Sequence, residues 1–359
     1  MRAGLCGMVI LNRPKALNAL NLPMIRSMYP EYQILEKANS TKLVILAGSG
    51  DKAFCAGGDV KALYLEGVNQ EGGSLRKDFF REEYQLNYLI GTFQKPHIAL
   101  LDGVTMGGGV GLSVHGQFRI ATERTVFAMP ETGIGFYTDV GGSYFLPRLK
   151  GQLGMYLGLT GERLKGEDVK RAGIATHFIE SSSIDLVIDR LKALSPETLD
   201  GSKAAMKSLN LVLGELDASS GEESQLLTST RLEEIDRCFG RNSVEEIFEA
   251  LGREGTEWAS KTLAKLKTMS PTSLKVVFRG IRKGANLSLA DCLRQEYRIS
   301  QHMMFHGKDF YEGIRSVLVD RDGNPQWNPS SLDQVTEEVV ARYFEPLPAA
   351  EELSLPEQR

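Results

Sequence analysis

The chain has 359 residues, 42% of them hydrophobic, which is enough apolar material for the cores of two or three domains. Its 42 Lys and Arg residues nearly balance its 46 Asp and Glu residues, and the net charge of −4 excludes a strong general attraction to nucleic acid or anionic membranes. The widely separated cysteines Cys6, Cys55, Cys238 and Cys292 argue against a zinc site and a disulfide framework, and they favour a reducing compartment.

Over the first 195 residues, short apolar runs alternate with helical patterns and glycines. Residues 43–47, 98–101 and 118–121 have the composition of buried strands. The alternation predicts an α/β fold built from repeated strand–turn–helix units. Beyond residue 195 the strand signals nearly vanish, and the remaining sequence has the pattern of successive helices.

Composition divides the chain into four parts. We expect an α/β core with the active site over 1–195, a helix and polar linker over 196–225, a helical region over 226–344, and a mobile Pro- and Glu-rich tail over 345–359. The linker prediction depends on the polar stretch ELDASSGEESQ, which is rich in Gly, Ser and acidic residues. Any catalytic groups are therefore expected in the first part.

Two glycine-rich turns lie about fifty residues apart, at 54–59 (FCAGGD) and 106–111 (MGGGVG). Each follows a predicted strand and precedes a predicted helix, whose first N–H groups have no partner within the helix. Two such turns can form an oxyanion hole, in which loss of one N–H donor costs roughly 10²–10³ in rate. The simpler interpretation is two tight turns. The first interpretation indicates acyl transfer or enolate formation on a carbonyl compound.

Two carboxylates follow the glycine turns. Glu131 comes directly after Met129 and Pro130, and Asp139 precedes a glycine pair at 141–142. Paired carboxylates near polarising N–H groups suit general acid–base or nucleophilic chemistry. A helix start at Pro130 and an N-cap at Asp139 explain the same residues, and the spacing alone does not separate the two interpretations.

A third carboxylate lies on the apolar face of a predicted helix over 78–93. The helical spacing places Glu83 on one face with apolar neighbours, which are Phe79, Leu86, Ile90 and Phe93. Charged side chains are rarely buried unless they are paired or hydrogen-bonded. From the pattern alone, Glu83 is equally a structural ion-pair partner or a site residue.

Several motifs together resemble the crotonase (enoyl-CoA hydratase/isomerase) superfamily. They are, in chain order, Leu11-Asn12-Arg13-Pro14, Asn18-Ala19-Leu20, FCAGGD, MGGGVG and Met129-Pro130-Glu131. Further segments resemble its 3-hydroxyisobutyryl-CoA hydrolase branch, namely 80–84 (FREEY), 113–116 (SVHG), 139–142 (DVGG) and 269–275 (MSPTSLK). The likeness covers nearly the whole chain, and it implies a spiral of ββα units followed by a helical C-terminal region.

The resemblance implies a role for each candidate residue. The N–H groups of Gly58 and Gly108 would form the oxyanion hole. Glu131 would attack the thioester carbonyl or activate water, while Asp139 and Glu83 would bind the 3-hydroxyl group. Two lysines beside the first turn, Lys52 and Lys61, match positions that meet the CoA phosphates, although surface lysines are ordinarily just solvated. A thioester-attacking Cys55 is the alternative nucleophile, and the resemblance argues against it.

Two departures from the family patterns affect this interpretation. Hydratases carry a glutamate where this chain has Gly111, so addition of water to a double bond is disfavoured. Tyr137 and Thr138 stand where the hydrolases have Phe-Pro, and we expect a looser turn that fixes Asp139 less firmly. The alternative functions are an enoyl-CoA hydratase or isomerase on the same fold and a non-catalytic acyl-CoA-binding protein.

The remaining expectations concern ligands and location. The sequence has no G-x-G-x-x-G or P-loop motif, so we expect no NAD or ATP site. We also expect no metal site, and CoA only as part of the substrate. No apolar run approaches the roughly eighteen residues of a membrane span. The resemblance implies valine catabolism in the mitochondrial matrix, although no presequence is visible, and we expect a homo-oligomer.

Overall fold

In this computed structural model, residues 2–3, 5–69, 73–195, 199, 203–221 and 224–356 are described. Their strands are β1 (Arg2–Ala3), β2 (Cys6–Leu11), β3 (Leu43–Gly48), β4 (Ala53–Cys55), β5 (His97–Leu101), β6 (Val104–Met106), β7 (Phe118–Ala121), β8 (Val126–Ala128), β9 (Leu164–Lys165) and β10 (His177–Phe178). The larger sheet has the order β1-β2-β3-β5-β7-β10, and the smaller sheet has the order β4-β6-β8-β9.

From β3 to β8, consecutive strands alternate between the two sheets. A larger-sheet strand is followed within a few residues by a smaller-sheet strand in β3–β4, β5–β6 and β7–β8. Within each sheet these strands pair in parallel, whereas β1 and β9 pair antiparallel at the edges. This is the spiral of ββα units that the family resemblance implied, and the α/β fold class is confirmed.

The helices begin and end as follows: α1 (Leu22–Lys37), α2 (Val60–Val68), α3 (Leu75–Gly91), α4 (Gly108–Gly111), α5 (Gly142–Phe145), α6 (Leu153–Thr160), α7 (Glu167–Arg171), α8 (Ile184–Lys192), α9 (Lys203–Gly214), α10 (Ser229–Phe239), α11 (Val244–Glu254), α12 (Glu257–Leu266), α13 (Pro271–Gly284), α14 (Leu289–Phe305), α15 (Asp309–Ile314) and α16 (Glu337–Arg342). In the C-terminal half, Ser and Thr side chains cap helix N-termini. Ser243, Ser270 and Ser288 each accept a hydrogen bond from a first-turn backbone N–H. Past β10 the described residues form helices, turns and loops.

The larger sheet separates two cores because side chains alternate between its faces. In β3, Leu43 and Ile45 face a smaller core, which α8 and α9 cover with residues such as Val187 and Leu209. Val44 and Leu46 face the opposite way, into the main core between the sheets and the remaining helices. The active site lies on the main-core side.

Within the C-terminal tail, for which we predicted mobility over 345–359, two leucines are buried although most other described residues are exposed. Leu353 and Leu355 are buried, and the Arg81 side chain of α3 donates hydrogen bonds to the backbone carbonyls of Glu351 and Glu352. Arg298 of α14 also pairs with Glu352 at 2.8 Å, so polar contacts join the tail to both α3 and α14. Residues 357–359 lie outside the described part.

The predicted linker over 196–225 is described only in part. Helix α9 ends at Gly214, and 217–220 continue without regular structure. Asp217 and Ser219 tie this segment to the core, because both accept hydrogen bonds from the Lys170 ammonium group. Residues 196–198, 200–202, 222 and 223 of the prediction lie outside the described residues.

Candidate active site

Three neighbouring parallel strands of the smaller sheet end at the same edge. Strands β4 and β8 flank β6, and all three run in the same direction. The chain leaves these strands at Gly58, Gly108 and Glu131, each within three residues of the strand end. The fold therefore brings together two glycine turns and a carboxylate that are far apart in sequence.

The two glycine turns approach each other closely. The preceding glycines have positive φ angles, 116° at Gly57 and 46° at Gly107, which residues with a side chain rarely adopt. A Cβ atom on Gly108 would lie 3.3 Å from the Gly58 nitrogen. Neither the Gly58 N–H nor the Gly108 N–H donates to an acceptor within the described chain. Two unpaired donors in one place can bind one oxyanion.

Two side chains from the loop after β2 hold the first turn in place. The buried Asn18 amide donates to the backbone carbonyls of Ser49 and Ala53, at 2.9 and 2.8 Å. The Arg13 guanidinium donates to Asp59 Oδ2 at 3.0 Å and to the Ala19 carbonyl at 2.6 Å. These contacts hold the backbone on both sides of Gly58.

Helix α3 places Glu83 against the second turn. Glu83 is buried, as are its apolar neighbours on the same face, and its Oε1 atom would lie 2.6 Å from a Cβ atom on Gly108. Within the described residues, Oε1 has no hydrogen-bond partner and Glu83 has no ion pair. The structure therefore gives no support to Glu83 as a structural ion-pair partner. Its free oxygen is available to a ligand.

The segment that carries Asp139 is held from three sides. The Tyr84 hydroxyl of α3 forms a hydrogen bond with Asp139 Oδ2 at 2.8 Å. His115 Nε2 lies 2.7 Å from the carbonyl oxygen of Val140, a residue with a positive φ of 52°. Glu296 of α14 accepts hydrogen bonds from the Gly141 N–H at 2.6 Å and from the Ser143 N–H at 2.9 Å. This segment is well fixed, although we expected a looser turn without the Phe-Pro pair.

Three carboxyl groups share the buried space, and no cation of the described chain is bonded to them. Burial raises the pKa of Glu83 and of Glu131 well above the ordinary glutamate value, and the charge of Asp139 raises both further. Burial likewise raises the pKa of Asp139, to about 7. Like charges in a buried space cannot all be ionised, so the group retains protons near neutral pH.

Gly111, where hydratases carry a glutamate, faces a filled space. A Cβ atom there would lie 2.5 Å from Val140 Cβ and 2.9 Å from Asn87 Nδ2. Asn87 is fully buried, and neither its Nδ2 nor its Oδ1 atom has a partner within the described chain. A second carboxylate at this position would collide with both neighbours.

The weaker candidates differ in position. Lys52 and Lys61 are exposed beside the first turn, where a long ligand leaving the oxyanion hole could meet them. Cys55 is buried, and burial raises the pKa of its thiol to about 12, so it is an inert thiol rather than a nucleophile. In the described residues no cluster of three or more His, Cys, Asp or Glu side chains could hold a metal ion, and no helix is long and apolar enough to cross a membrane.

Sequence reasoning missed Glu296 as a site-supporting residue. It is a fully buried carboxylate between the buried residues Leu293 and Ser300 of α14, the same pattern that singled out Glu83. Burial raises the pKa of Glu296 to about 8, although Ser143 and Gly141 donate to its oxygens. A search for acidic residues on apolar helix faces would have found it. Asn87 would not be found in this way, because its side chain is a neutral amide.

Known proteins that are similar to this chain belong to the same family that its motifs resemble. The sequence profile of a family described as enoyl-CoA hydratase/isomerase matches residues 6–344. The chain is 52% identical to the protein named 3-hydroxyisobutyryl-CoA hydrolase, mitochondrial, of Danio rerio, over 96% of this chain and 88% of the relative. The proteins of the same name from Dictyostelium discoideum and Homo sapiens are 48% and 45% identical, over 98% and 96% of this chain and 92% and 88% of theirs.

Solved structures agree on the fold. A carnitinyl-CoA dehydratase from Mycobacterium thermoresistibile is similar with a TM-score of 0.87 and 36% identity, over 98% of this chain and 97% of that chain. An enoyl-CoA hydratase from Rhodobacter sphaeroides 2.4.1 is similar with a TM-score of 0.86 and 32% identity, over 99% and 98%. The likeness therefore includes both the α/β part and the helical C-terminal part.

Proposed function

The chain belongs to the enoyl-CoA hydratase/isomerase family, and from this premise we propose that it is a 3-hydroxyisobutyryl-CoA hydrolase. It cleaves the thioester of its substrate to 3-hydroxyisobutyrate and CoA, a step of valine catabolism. The observation that carries the proposal is the meeting of two unpaired N–H groups with the Glu131 carboxylate, while the filled space at Gly111 has no room for the carboxylate that hydratases carry there.

The oxyanion hole polarises the substrate. The Gly58 and Gly108 N–H groups donate to the thioester oxygen and stabilise the negative charge that develops on it during attack. Because both donors belong to braced backbone, they need no reorganisation during the reaction, which is the condition for large electrostatic stabilisation. The close approach of Glu83 to Gly108 supports an acyl chain that lies beside α3.

Glu131 supplies the attacking group. Its Oε2 atom has no partner in the described chain, and its Oε1 atom would lie 3.0 Å from a Cβ atom on Gly107, directly beside the oxyanion hole. The carboxylate attacks the carbonyl to form a mixed anhydride, with CoA leaving as the thiolate, and water then opens the anhydride. In the alternative route the same carboxylate removes a proton from the attacking water.

Asp139 and Glu83 recognise the 3-hydroxyl group and tune Glu131. Each carries a raised pKa from burial, and Glu83 Oε1 is free to bond a ligand hydroxyl. The charges of Glu83 and Asp139 raise the pKa of Glu131 when they are ionised, so their protonation favours the ionised, reactive form of Glu131. Substrates without the 3-hydroxyl group lose these hydrogen bonds.

Further parts of the proposal concern binding and location. Lys52 and Lys61 bind the CoA phosphates, and CoA serves as part of the substrate rather than as a cofactor. The relatives compared above are named mitochondrial proteins, which supports a mitochondrial enzyme, and we propose the matrix as its compartment. The α/β part carries the reacting groups, the helical part supports them through Glu296, and the enzyme assembles as a homo-oligomer.

The first experiment distinguishes hydrolase from hydratase. We expect release of free thiol from 3-hydroxyisobutyryl-CoA and negligible hydration of crotonyl-CoA. Glu131→Gln keeps the shape of the side chain and should lower hydrolysis by roughly 10²–10⁴. Glu180→Gln, which changes an exposed glutamate, is the matched control and should retain full activity. Efficient hydration of crotonyl-CoA without thiol release would overturn the proposal.

The second experiment separates the two routes. In a single turnover in ¹⁸O-labelled water, attack of water on the glutamyl carbonyl of the anhydride places the label in the Glu131 carboxylate. Peptide mass spectrometry of the protein then detects it. Label found only in the released acid favours direct attack by water or opening of the anhydride at the acyl carbon.

A further inference from the structure

Four oxygen atoms lie in a row behind the active site. Asp139 Oδ2 is 2.8 Å from the Tyr84 hydroxyl, and the Tyr84 hydroxyl is 2.9 Å from the Tyr137 hydroxyl. The Tyr137 hydroxyl in turn contacts the backbone carbonyl oxygen of Glu296. All of these residues are buried, so water does not replace a missing partner without entering the core.

The number of protons in this row depends on Asp139. Each of the three oxygen–oxygen contacts needs one proton to be a hydrogen bond. The two tyrosine hydroxyls supply two, and the backbone carbonyl supplies none. The Ser300 hydroxyl donates to the Tyr297 carbonyl at 2.8 Å and also interacts with the Tyr137 hydroxyl. A proton between Ser300 and Tyr137 lies outside the three contacts of the row, so Ser300 does not supply the third. When Asp139 is ionised, one contact joins two oxygens with no proton between them.

A protonated Asp139 completes the row. Its O–H donates to the Tyr84 oxygen, Tyr84 donates to the Tyr137 oxygen, and Tyr137 donates to the Glu296 carbonyl. Every contact then holds one proton and every hydroxyl donates once. A buried row of hydrogen bonds that is complete in only one protonation state favours that state.

We propose that the Tyr137 hydroxyl, acting through Tyr84, keeps Asp139 protonated, so that the working enzyme has a neutral Asp139 beside an ionised Glu131. This inference rests on the proposed hydrolase function for its role in catalysis, although the proton arrangement itself does not. Tyr137 and Tyr84 are positioning residues. In chains with phenylalanine at the Tyr137 position, two of the three contacts and one proton would be absent, and the Tyr84 proton would suffice for the contact that remains.

The other groups that face Asp139 agree with this assignment. Helix α3 contributes Glu83, the turn after β8 contributes Glu131, and α14 contributes Glu296, all of them acidic. His115 follows α4, and burial lowers its pKa to about 4, so it carries no positive charge near neutral pH. Among the described groups that face Asp139, its ionised form is favoured by the Tyr84 hydroxyl and by the backbone N–H of Asp139 itself.

A neutral Asp139 has a direct chemical use. Glu131 must be ionised to attack the carbonyl or to accept a proton from water. A second negative charge on Asp139 would raise the pKa of Glu131 and oppose the development of charge on the thioester oxygen. Holding the proton on Asp139 removes that repulsion, while its other oxygen still accepts the 3-hydroxyl proton of the substrate.

Two tyrosine variants test the proposal because they act in opposite directions. Tyr137→Phe removes two contacts but only one proton, so the row no longer lacks a proton when Asp139 is ionised, and the pKa of Asp139 should fall by about one unit. The alkaline limb of the pH profile of kcat/KM should shift to lower pH by the same amount. Tyr84→Phe removes the side-chain donor to the ionised Asp139 carboxylate. The alkaline limb should therefore stay at the same pH or shift to higher pH. Tyr88→Phe, one helical turn beyond Tyr84, is the control and should leave the limb unmoved.

Infrared spectroscopy of the ligand-free enzyme gives a readout that needs no substrate. The carbonyl stretch of a protonated carboxylic acid that disappears in Asp139→Asn reports Asp139. It should titrate at lower pH in Tyr137→Phe than in the wild-type protein. A band that titrates at the same or higher pH in Tyr137→Phe would overturn the inference. If the band shifts but no acyl-CoA is hydrolysed, the proton arrangement stands and the hydrolase function fails.

Discussion

The carboxyl groups of the candidate site are buried without a cation beside them. Their burial lowers the stability of the folded protein, and it also raises their pKa values into a range that suits acid–base chemistry. Glu83 was recognisable from the sequence because one acidic residue interrupts an apolar helix face. The partner it faces, Gly108, was not recognisable from that pattern, since the contact joins residues that are distant in sequence. The sequence pattern therefore identifies a buried acidic residue, whereas the residues in contact with it are known only from the fold.

The pKa shift of Glu83 predicts a stability effect. Burial raises the pKa of Glu83 above its value in the unfolded chain, near 4.5, so the folded protein keeps a proton that the unfolded chain releases. The resulting stability is complete below pH 4.5 and is lost as the pH rises toward the folded pKa. Glu83→Gln should therefore unfold at higher denaturant concentration than the wild type at pH 8, with a smaller difference at pH 4.5.

The neighbouring Glu82 provides the control for this prediction. Its carboxylate is paired with Arg26 at 2.6 Å on the outer face of the same helix. Glu82→Gln should give no gain in stability at pH 8. An equal effect of Glu83→Gln at both pH values would contradict a raised pKa. Activity should fall in Glu83→Gln while stability rises, which is the usual trade-off at a functional site.

Crowding at Gly108 gives a second residue-scale prediction. Alanine there would place its Cβ atom 2.6 Å from Glu83 Oε1, in the space where the thioester oxygen must lie. Gly108→Ala should lower kcat by about a hundredfold, the scale of one lost oxyanion donor, and Gly108→Val by at least as much. Gly280→Ala changes a buried helical glycine with open space around it and should keep normal turnover. Normal turnover in both Gly108 variants would place the carbonyl elsewhere.

Among the secondary-structure elements, the longer strands and helices were predictable and the short ones were not. The strands β3, β5 and β7 appeared as apolar runs, but β4 and β6 have three residues each and merge into the glycine motifs. Three residues carry too little periodicity to be read as a strand. The parallel pairing that joins the two glycine turns was therefore supplied by the family resemblance and not by the pattern.

Helices α3 and α4 lie side by side, with Glu83 facing Gly108 and Asn87 facing Gly111. This packing predicts that a hydratase-type carboxylate is not tolerated. Gly111→Glu should destabilise the protein and produce no hydration of crotonyl-CoA, because its side chain collides with Val140 and Asn87. Gly252→Glu, at an exposed helical glycine with open space, should change the unfolding midpoint little. A stable Gly111→Glu protein that hydrates crotonyl-CoA would contradict this account.

For the whole molecule, the C-terminal half supports a site that the N-terminal half builds. Helix α14 holds the Asp139 segment through Glu296, and the tail packs on α3, which carries Glu83. The sequence placed the start of the helical part near residue 195 because strand composition stops there. It did not reveal the packing of the tail, since two leucines among proline and glutamate residues resemble a solvated segment.

The buried tail leads to the last prediction, which concerns Leu353. Its side chain is 3% exposed, so Leu353→Ala should lower the free energy of unfolding by about 2–5 kcal/mol, the range for a truncated core leucine. Leu211→Ala, at a leucine of α9 that is 59% exposed, is the control and should change the free energy by less than about 0.5 kcal/mol. Denaturant unfolding of both variants measures the difference. Because the tail packs on α3, we also expect Leu353→Ala to lower kcat. If the two variants are equally stable, Leu353 does not contribute to the core and residues 345–356 are mobile, as the sequence predicted.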